Sequence, residues 1–458
     1  MRAMILAAGF GTRLLPYSNS TPKPLFTIGG RPLLDIIIRQ LLDAGCRAII
    51  INTHHLHDKI ASFVAKQNYS IPITVRREPE ILGTGGGIKN VSDFWTHKPF
   101  IVINSDIVTD IDLKQLYRFH LEHPHPVTLV LHDFPRYNNV AVRSDGFVNA
   151  FYNQSDLHKT THEDMLAFTG IQILDPIVLQ YIPTNTFYSS IDAYRKMIAA
   201  GKKIKGFIVQ GHRWQDIGTP ESYRQTAFEQ MAPEAFRATR AGYRGGKIAQ
   251  TLLKGDGSDR KWYRLTAGDT SLIMADHGIR QSSHQDTQEV DAFVAIGKHL
   301  KATGTPVPQI YLYDTFTGLV FMEDVGDENL QNAVNNAKDS EKGILSGYQS
   351  VIRQLVTMSV DGAVKFNRSW AWQTPEYSRD LILEKECRYF VNAFLKTFLG
   401  LKVRFNDLAE DFALLADRAL EYAATGFMHR DMQSRNIMVQ NGIYYFIDFQ
   451  GGRLGPLQ

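Results

Sequence analysis

Two glycines and two cations follow the first apolar stretch of the chain, and together they are suited to hold a phosphate. Gly9 and Gly11 let the backbone adopt positive φ and approach a ligand closely, and backbone N–H groups in such a turn can cradle an anion. Arg13 and Lys23 add positive charge, and the prolines on either side of Lys23 stiffen the segment that holds it. Gly-x-Gly alone also fits an ordinary turn, but the full string ILAAGFGTRLLPYSNSTPKPL, over 5–25, favours phosphate binding.

One aspartate stands where a metal ion could meet such a phosphate, and another lies later in the chain, just before Gly-Thr-Pro. Asp106 closes the apolar run PFIVINSD, and Asp216 lies in HRWQDIGTP. A carboxylate at the end of a buried strand is well placed to hold Mg²⁺ against a triphosphate. The structural alternative for each is a helix N-cap, for helices that would begin near Ile107 and near Pro220.

A second glycine-rich turn, LGTGGGIK over 82–89, is predicted to open a helix near Ile88. A run of glycines costs chain entropy unless another group must approach the backbone closely. The turn therefore indicates either a ligand contact or a tight loop without one.

Strands and helices alternate around these motifs. A helix is predicted over 32–45 from apolar residues at helical spacing, followed by a strand over 48–52, a helix over 58–67 and a strand over 73–76. This alternation predicts an α/β domain of Rossmann-like type with a mainly parallel sheet and helices on both faces. Ligands of such sheets lie beyond the carboxyl ends of the strands, where the motifs fall.

The string over 5–25 resembles the signature of the sugar-1-phosphate nucleotidyltransferases, and the resemblance continues to about Ser222. It implies that the glycine loop holds a nucleotide, that Arg13 and Lys23 contact phosphates as catalytic residues, and that Asp106 and Asp216 bind Mg²⁺. The remaining positions that the resemblance assigns to the nucleotide and the sugar are Ala8, Gly9, Gly11, Thr12, Gly83, Thr84, Gly85, Gly86, Thr169 and Gly170.

The implied reaction is a nucleotidyl transfer. An oxygen of a sugar 1-phosphate attacks the α-phosphorus of a nucleoside triphosphate in line, and pyrophosphate leaves. No protein nucleophile is needed, because catalysis is positioning plus charge neutralisation by Mg²⁺, Arg13 and Lys23.

The second half carries a different phosphate-transfer pattern. HRDMQSRN over 429–436 has the spacing His-x-Asp-x-x-x-x-Asn, and YFIDFQ over 445–450 follows it. His-Arg-Asp alone is a weak signal, but with the asparagine and the later aspartate it is typical of kinase-fold phosphotransferases. Asp431 would accept the proton of the attacking hydroxyl, while Asn436 and Asp448 would hold Mg²⁺ on ATP.

This half resembles the aminoglycoside phosphotransferase-like kinases, and most closely the anomeric sugar kinases. A strand–turn–strand over 255–265 is predicted to cover the nucleotide, and Glu323 to lie at an adenine-binding hinge. The usual kinase lysine on the third strand has no match over 271–275. The positive charge is expected from Arg260, Lys261 or Arg264.

We expect a nucleotidyltransferase domain over 1–230, a linker over 231–247 and a protein-kinase-like α+β domain over 248–458. The resemblance implies further helices beyond Gln458, so the kinase-like domain is expected to be incomplete at its C-terminus and its activity is open.

Composition narrows the functional classes. The chain has 458 residues with 44% hydrophobic and 21% charged residues and a net charge of +3, which predicts a soluble protein without nucleic acid as a partner. No apolar run reaches the roughly 20 residues that a membrane span requires. Cys46 and Cys387 lie far apart, so a cytoplasmic protein without disulfides is expected. The oligomeric state is left open.

The two halves make sense as consecutive steps. Within its family the first half looks most like the N-acetylmuramate-1-phosphate uridylyltransferases, which use UTP. The kinase would make the sugar 1-phosphate from ATP and an amino sugar, N-acetylmuramate or N-acetylglucosamine. The expected function is peptidoglycan sugar salvage by a bifunctional enzyme. One alternative is a hexose-1-phosphate guanylyltransferase that uses GTP and, for example, mannose 1-phosphate; another is a regulatory module that binds a nucleotide sugar without turning it over.

Overall fold

The computed structural model describes residues 1–153, 164–239, 243–253, 260–281, 287–336, 341–421 and 424–457. The chain forms two compact units, Met1–Gln230 with Ile279–Ser283, and Met231–Gly278 with His284–Gln458. Each unit has its own main sheet and its own buried core.

Strands and helices alternate through most of the first unit. Its strands are β1 Arg2–Ala7, β2 Thr27–Ile28, β3 Arg31–Pro32, β4 Ala48–Thr53, β5 Ile73–Arg77, β6 Phe100–Asn104, β7 Ile107–Thr109, β8 Val127–His132, β9 Val140–Val142, β10 Val148–Phe151, β11 Asp164–Leu174, β12 Ile204–Val209 and β13 Trp214–Asp216. Its helices are α1 Leu33–Asp43, α2 His57–Lys66, α3 Gly83–Asn90, α4 Leu113–Leu121, α5 Ser190–Ala199 and α6 Pro220–Ala238, the last of which continues past Gln230.

Nine of these strands form one sheet within the described residues. The order is β10-β9-β11-β6-β1-β4-β5, and β8 pairs with both β11 and β12. The pairs β1–β4, β1–β6, β4–β5 and β8–β12 are parallel, whereas β11 runs antiparallel to β6, β8 and β9. The sheet is parallel at its centre and mixed toward one edge, which confirms the predicted α/β class.

The central strands are apolar throughout because both of their faces are buried. Ile5 of β1 packs in the core that contains Ile37 of α1, whereas the next residue back, Met4, packs in the core that contains Ile88 of α3 and Tyr194 of α5. Successive side chains of a strand point to opposite faces, so helices on both faces require an unbroken apolar run. This packing holds the carboxyl ends of the central strands together at one edge.

The second unit has a kinase-like α+β arrangement, as predicted. Five strands form an antiparallel sheet in the order β14-β15-β16-β18-β17, and helices and short hairpins follow in the chain. Its strands are β14 Ala249–Leu252, β15 Lys261–Ala267, β16 Thr270–Asp276, β17 Ile310–Asp314, β18 Leu319–Glu323, β19 Thr425–Met428, β20 Ile437–Gln440, β21 Ile443–Phe446 and β22 Arg453–Pro456. Its α-helices are α7 Glu289–Ala302, α8 Leu330–Asn336, α9 Glu341–Val360, α10 Arg379–Leu381 and α11 Ala409–Leu420, with π-helical turns over Ile382–Cys387 and Phe390–Phe398.

Two element boundaries differ from the predictions. Helix α3 begins at Gly83, five residues before the predicted start near Ile88, because tertiary packing outweighs the poor helix propensity of its glycines. Helix α6 extends to Ala238, so the first half of the predicted linker is helical. Of the strand–turn–strand predicted over 255–265, only the second strand falls on an observed one, β15; the preceding strand, β14, ends at Leu252, before the predicted range, and residues 254–259 lie outside the described part of the chain.

None of the helices in the described ranges combines the length and the apolar character that crossing a bilayer requires.

A cluster of histidines lies at the end of α4 and in the segment that joins it to β8 in the first unit. Nδ1 of His123 accepts a hydrogen bond from the His125 amide at 3.2 Å, and its Nε2 lies 3.0 Å from Oγ1 of Thr128. Burial, with the neighbouring rings of His120 and His125, lowers the pKa of His123 to about 4. The folded state therefore holds this ring neutral at pH values where an exposed histidine would be charged.

The lowered pKa predicts that the first unit loses stability in mild acid. As the pH falls below the ordinary value near 6.5, the unfolded chain binds a proton that the folded ring does not bind, and unfolding is favoured. We expect His123→Gln to reduce the loss between pH 7 and pH 5 by about 1 kcal/mol, after allowance for solvent screening. Thermal unfolding at both pH values checks this. The control is His97→Gln, at an exposed histidine; equal pH dependence in both variants would contradict the prediction.

Candidate functional site

The first site is formed where three parallel strands end side by side. β1 lies between β4 and β6, and Leu6 is in register with both Asn52 and Asn104. The glycine loop after β1 is therefore flanked by the segments that follow the two neighbouring strands. This is the edge of a parallel sheet at which ligands bind.

The glycine loop is held by polar contacts that leave its central part open. Asn52 accepts a hydrogen bond from the Ala7 amide at 3.0 Å and donates to Glu78 at 2.7 Å. Gly11 has φ of +67°, and its carbonyl accepts a hydrogen bond from the Ser18 hydroxyl at 2.9 Å. Only glycine adopts this conformation without strain.

Lys23 joins the two predicted metal ligands. Its ammonium lies 2.6 Å from Oδ2 of Asp106 and 3.9 Å from Oδ1 of Asp216. The lysine side chain is only 10% exposed, so this charge cluster is largely shielded from water. Arg13 approaches from the solvent side, 3.8 Å from Asp216. Neither aspartate caps a helix: Asp106 is followed directly by β7, and Asp216 ends β13.

The environment of Asp216 fits a divalent cation. Burial, and then the nearby carboxylate of Asp106, raise the pKa of Asp216, while Lys23 and Arg13 oppose that rise. Its Oδ1 is buried and has no hydrogen-bond partner among the described residues. Within those residues no group of three or more His, Cys, Asp or Glu is arranged to hold a metal ion. A cation here would therefore take two protein carboxylates and complete its shell with phosphate oxygens and water, as Mg²⁺ does at nucleotide sites.

Two adjoining cavities open onto this charge cluster. The first has a volume of about 310 Å³ and is lined by the glycine loop, including the predicted residues Ala8, Gly9, Gly11 and Thr12, with Gly83 and Thr84. The second has a volume of about 580 Å³ and contains the predicted Thr169 and Gly170. Both cavities are lined by the predicted residues Arg13 and Asp106 and by Asn104, so they meet at these three residues.

Thr169 and Gly170 shape the floor of the second cavity through their neighbours. The Thr169 hydroxyl donates to the Val130 carbonyl at 3.0 Å, and the Thr169 carbonyl accepts from the Trp214 indole at 2.9 Å. Gly170 has φ of +82°, and a Cβ there would lie 2.5 Å from the Asn104 amide. Glycine is therefore required both for its backbone conformation and for the close approach of Asn104.

Gly85 and Gly86 do not line either of these cavities. Both are buried in α3, and a Cβ added to them would lie 2.9 Å from the Ser189 backbone and 2.6 Å from the Thr186 carbonyl respectively. Their small size allows the segment before α5 to pack on α3. Of the second glycine-rich motif, only Gly83 and Thr84 reach the first cavity.

Several residues of the site were not predicted from the sequence. Asn104 ends β6 and Asn52 lies one residue before the end of β4, and these positions beside the glycine loop were an available signal. Gly218 lies so close to the Arg13 guanidinium that a Cβ would be 2.5 Å away, and no sequence signal indicates that contact. Arg136 and Arg195 line the second cavity, far from any motif.

The second unit contains a separate cavity of about 700 Å³. It brings together all four predicted residues of this half, Glu323, Asp431, Asn436 and Asp448. The Asn436 amide lies 3.2 Å from Oδ2 of Asp431 and 2.9 Å from the Asp431 carbonyl. The Glu323 carboxylate accepts from the Gln309 amide at 3.0 Å and lies at the end of β18.

His429 anchors the loop that carries Asp431. Its ring is buried, and Nε2 lies 2.9 Å from the Ile447 carbonyl, one residue before Asp448. Burial lowers the pKa of His429, which favours the neutral ring. Its hydrogen bond to Ile447 connects the loop of Asp431 to the segment that precedes Asp448. Arg430 and Asp448 both have positive φ, a conformation rare outside glycine. Strain at such positions is typical of functional loops.

Comparison with known proteins assigns a family to each unit. Residues 2–232 match the nucleotidyl transferase family, and residues 249–458 match the phosphotransferase enzyme family. The first unit is therefore related to nucleotidyltransferases, and the second to kinase-like phosphotransferases.

The curated relatives described next each match about half of the chain. The UTP–glucose-1-phosphate uridylyltransferase of Synechocystis sp. is 28% identical over 243 residues, which cover 49% of this chain and 62% of that protein. The mannose-1-phosphate guanylyltransferase catalytic subunit beta of Drosophila pseudoobscura pseudoobscura is 29% identical over 229 residues, 48% of this chain and 60% of that protein. The chain thus spans about three fifths of the length of these two relatives.

A bacterial relative and a solved structure are covered almost completely. The D-glycero-alpha-D-manno-heptose 1-phosphate guanylyltransferase of Aneurinibacillus thermoaerophilus is 29% identical over 232 residues, 50% of this chain and 98% of that protein. HddC from Yersinia pseudotuberculosis is 27% identical, covers 50% of this chain and 99% of that chain, and has a TM-score of 0.42. The family match over residues 2–232 covers half of the 458 residues, and the chain belongs to the nucleotidyl transferase family.

Proposed function

We propose that the first unit transfers a uridylyl group from UTP to N-acetylmuramate 1-phosphate, giving the UDP-sugar and pyrophosphate. The observation that carries the proposal is the pair of cavities that share Arg13, Asn104 and Asp106. A triphosphate in the cavity of the glycine loop and a sugar phosphate in the larger cavity would meet at these residues. That arrangement is what an in-line attack between two bound substrates requires.

The residues of this chain would act by positioning and by charge. The backbone N–H groups of the glycine loop and the Arg13 guanidinium would bind the triphosphate. A sugar-phosphate oxygen attacks the α-phosphorus, a bond forms between them, and the bond to the bridging oxygen breaks as pyrophosphate leaves. Lys23 carries a buried positive charge beside the reacting phosphates and stabilises the charge that develops on them.

Asp106 and Asp216 are the residues that would hold Mg²⁺. When bound, that ion neutralises phosphate charge and orients the triphosphate for attack. Among the described residues, the cations beside the two carboxylates are the largely buried Lys23 and the more exposed Arg13. The close approach of the two carboxylates is easier to explain by a metal role than by stability, because two like charges at a partly buried site oppose folding.

The alternatives differ in base, in sugar or in turnover. Two of the relatives described above are guanylyltransferases and one is a uridylyltransferase, so a hexose-1-phosphate guanylyltransferase, such as one using mannose 1-phosphate, is the nearest alternative. A regulatory module that binds nucleotide sugars without turnover is the alternative of another class. Retention of all four charged residues, Arg13, Lys23, Asp106 and Asp216, favours catalysis over that module.

We propose that the second unit supplies the sugar 1-phosphate by phosphorylating N-acetylmuramate or N-acetylglucosamine with ATP. The anomeric oxygen attacks the γ-phosphorus, its proton passes to Asp431, and ADP leaves. Asn436 and Asp448 are the residues that would hold Mg²⁺ on the nucleotide. The two steps on one chain would together serve peptidoglycan sugar salvage. The composition predicts that this takes place in the cytoplasm.

A substrate panel tests the first reaction. Purified full-length chain is given UTP or GTP with N-acetylmuramate 1-phosphate, N-acetylglucosamine 1-phosphate, glucose 1-phosphate or mannose 1-phosphate, and pyrophosphate release is measured. We expect the highest kcat/KM for UTP with N-acetylmuramate 1-phosphate. Turnover of GTP but not UTP would contradict the choice of base, and absence of turnover with every pair would favour the regulatory module.

Arg136 offers a sharper test of the sugar. A muramyl sugar differs from its glucosamyl counterpart by a lactyl carboxylate, which a free cation in the sugar cavity would bind. Of the two arginines that were not predicted, Arg195 is paired with Asp192 at 3.0 Å, whereas Arg136 has a contact with the Tyr137 ring and no carboxylate partner among the described residues.

We therefore expect Arg136→Gln to lower kcat/KM about tenfold for N-acetylmuramate 1-phosphate and to leave N-acetylglucosamine 1-phosphate nearly unchanged. Arg143→Gln is the matched control, since Arg143 is an exposed arginine that pairs with Asp145 on the neighbouring hairpin. An equal loss of kcat/KM for both sugars in Arg136→Gln would show that Arg136 does not bind the lactyl carboxylate.

A further inference from the structure

One buried arginine of the second unit has hydrogen-bonding capacity that the described residues do not use. The Arg260 side chain is 8% exposed and lines the cavity that contains Asp431, Asn436 and Asp448. Its Nη2 donates to Oδ1 of Asp448 at 2.8 Å, and its Nη1 lies 3.4 Å from Oε1 of Glu289 at the start of α7.

Two of the three guanidinium nitrogens of Arg260 form no hydrogen bond with the described residues. Nε and Nη1 of Arg260 are buried and form no hydrogen bond within the described part of the chain. Leaving a donor of a charged group unsatisfied in a buried site is costly, so such groups usually have a partner when the site is in use. A partner for these donors in an open cavity would be an anion.

The two neighbouring cations are not available for the same task. Arg264 is held by Asp324 at 2.7 Å and by Asp327 at 2.8 Å, which satisfies its guanidinium. Lys261 is exposed. Its side chain alternates with that of Trp262, which lines the cavity, so the lysine points to the other face of the sheet. Arg260 is the candidate that remains of the three predicted from the sequence.

The strand β16, which in protein kinases would carry the phosphate-binding lysine, has no cation facing the cavity. In β16, Ala275 lies opposite Trp262 and Ile273 lies opposite Arg264, so the positions in register with the cavity-lining side of β15 are apolar. The guanidinium of Arg260 lies over the Trp262 ring at 5.5 Å and reaches Glu289. In protein kinases a lysine on the third strand pairs with a glutamate of the following helix and contacts the phosphates.

We propose that Arg260 binds the phosphates of ATP in the second unit, in place of a lysine on β16, with Glu289 as its ion-pair partner. This inference rests on the proposed kinase function. Arginine suits the role because its planar guanidinium stays charged and can contact one carboxylate and a phosphate oxygen at the same time.

The test measures binding of Mg·ATP and of adenosine to the full chain by calorimetry. Asp448→Asn identifies the heat that comes from this cavity. We expect Arg260→Gln to weaken Mg·ATP binding at least tenfold and to leave adenosine binding within twofold, because adenosine lacks the phosphates. Arg260→Lys should recover part of the affinity, and Lys261→Gln should bind both ligands as the wild type does.

The possible outcomes distinguish failure of the proposed role of Arg260 from failure of the proposed kinase function. If Arg260→Gln binds Mg·ATP as tightly as the wild type, or loses adenosine equally, Arg260 is not a phosphate ligand although the cavity binds ATP. If the wild type binds no Mg·ATP, or binds it with no change in Asp448→Asn, the kinase proposal itself is overturned.

Discussion

The first unit depends on one arrangement of charges, in which Lys23 lies between Asp106 and Asp216. Each of the three residues comes from a different part of the chain, and the ammonium lies 2.6 Å from one carboxylate and 3.9 Å from the other. Two carboxylates this close repel each other, and partial burial raises that cost. The parallel strands β1, β4 and β6 and the added pair β7–β13 hold them there against that repulsion.

The second unit also has a cation that lies between two carboxylates. Arg260 lies between Glu289 and Asp448, as Lys23 lies between its two aspartates. In both units a largely buried cation joins carboxylates at the edge of a cavity large enough for a nucleotide. Both arrangements suit phosphate transfer, in which the protein mainly positions charge and supplies no nucleophile. The proposed reactions are consecutive, since the product of the kinase step is the acceptor of the nucleotidyl step.

Much of this could be predicted from the sequence because the signals are local. The apolar run that ends in Asp106 and the string around Gly9 and Gly11 are each about 20 residues long or shorter. The run identifies a strand end, and the string identifies a phosphate loop. The spacing from His429 to Asn436 does the same for the second unit. These patterns also gave the α/β class and the kinase-like class.

What the sequence did not reveal depends on contacts between distant residues. Gly85 and Gly86 were expected at the ligand, but they are needed for packing against the backbone near Ser189, about 100 residues away. The close approach of Gly170 to Asn104 has the same origin. The proposed choice of Arg260 over Arg264 also depends on a distant contact, because Arg264 pairs with Asp324, which lies 60 residues away in the chain.

The most direct measurement of the central claim is Mg²⁺-dependent pyrophosphate release from UTP and a sugar 1-phosphate by an Asp106→Asn variant. The substitution keeps the shape of the side chain and removes the charge that a cation would bind, so the rate should fall by at least about 100-fold. Asp43→Asn, at the exposed end of α1, should keep the wild-type rate. An Asp106→Asn variant that released pyrophosphate at the full rate would show that the two-aspartate cluster is not the metal site.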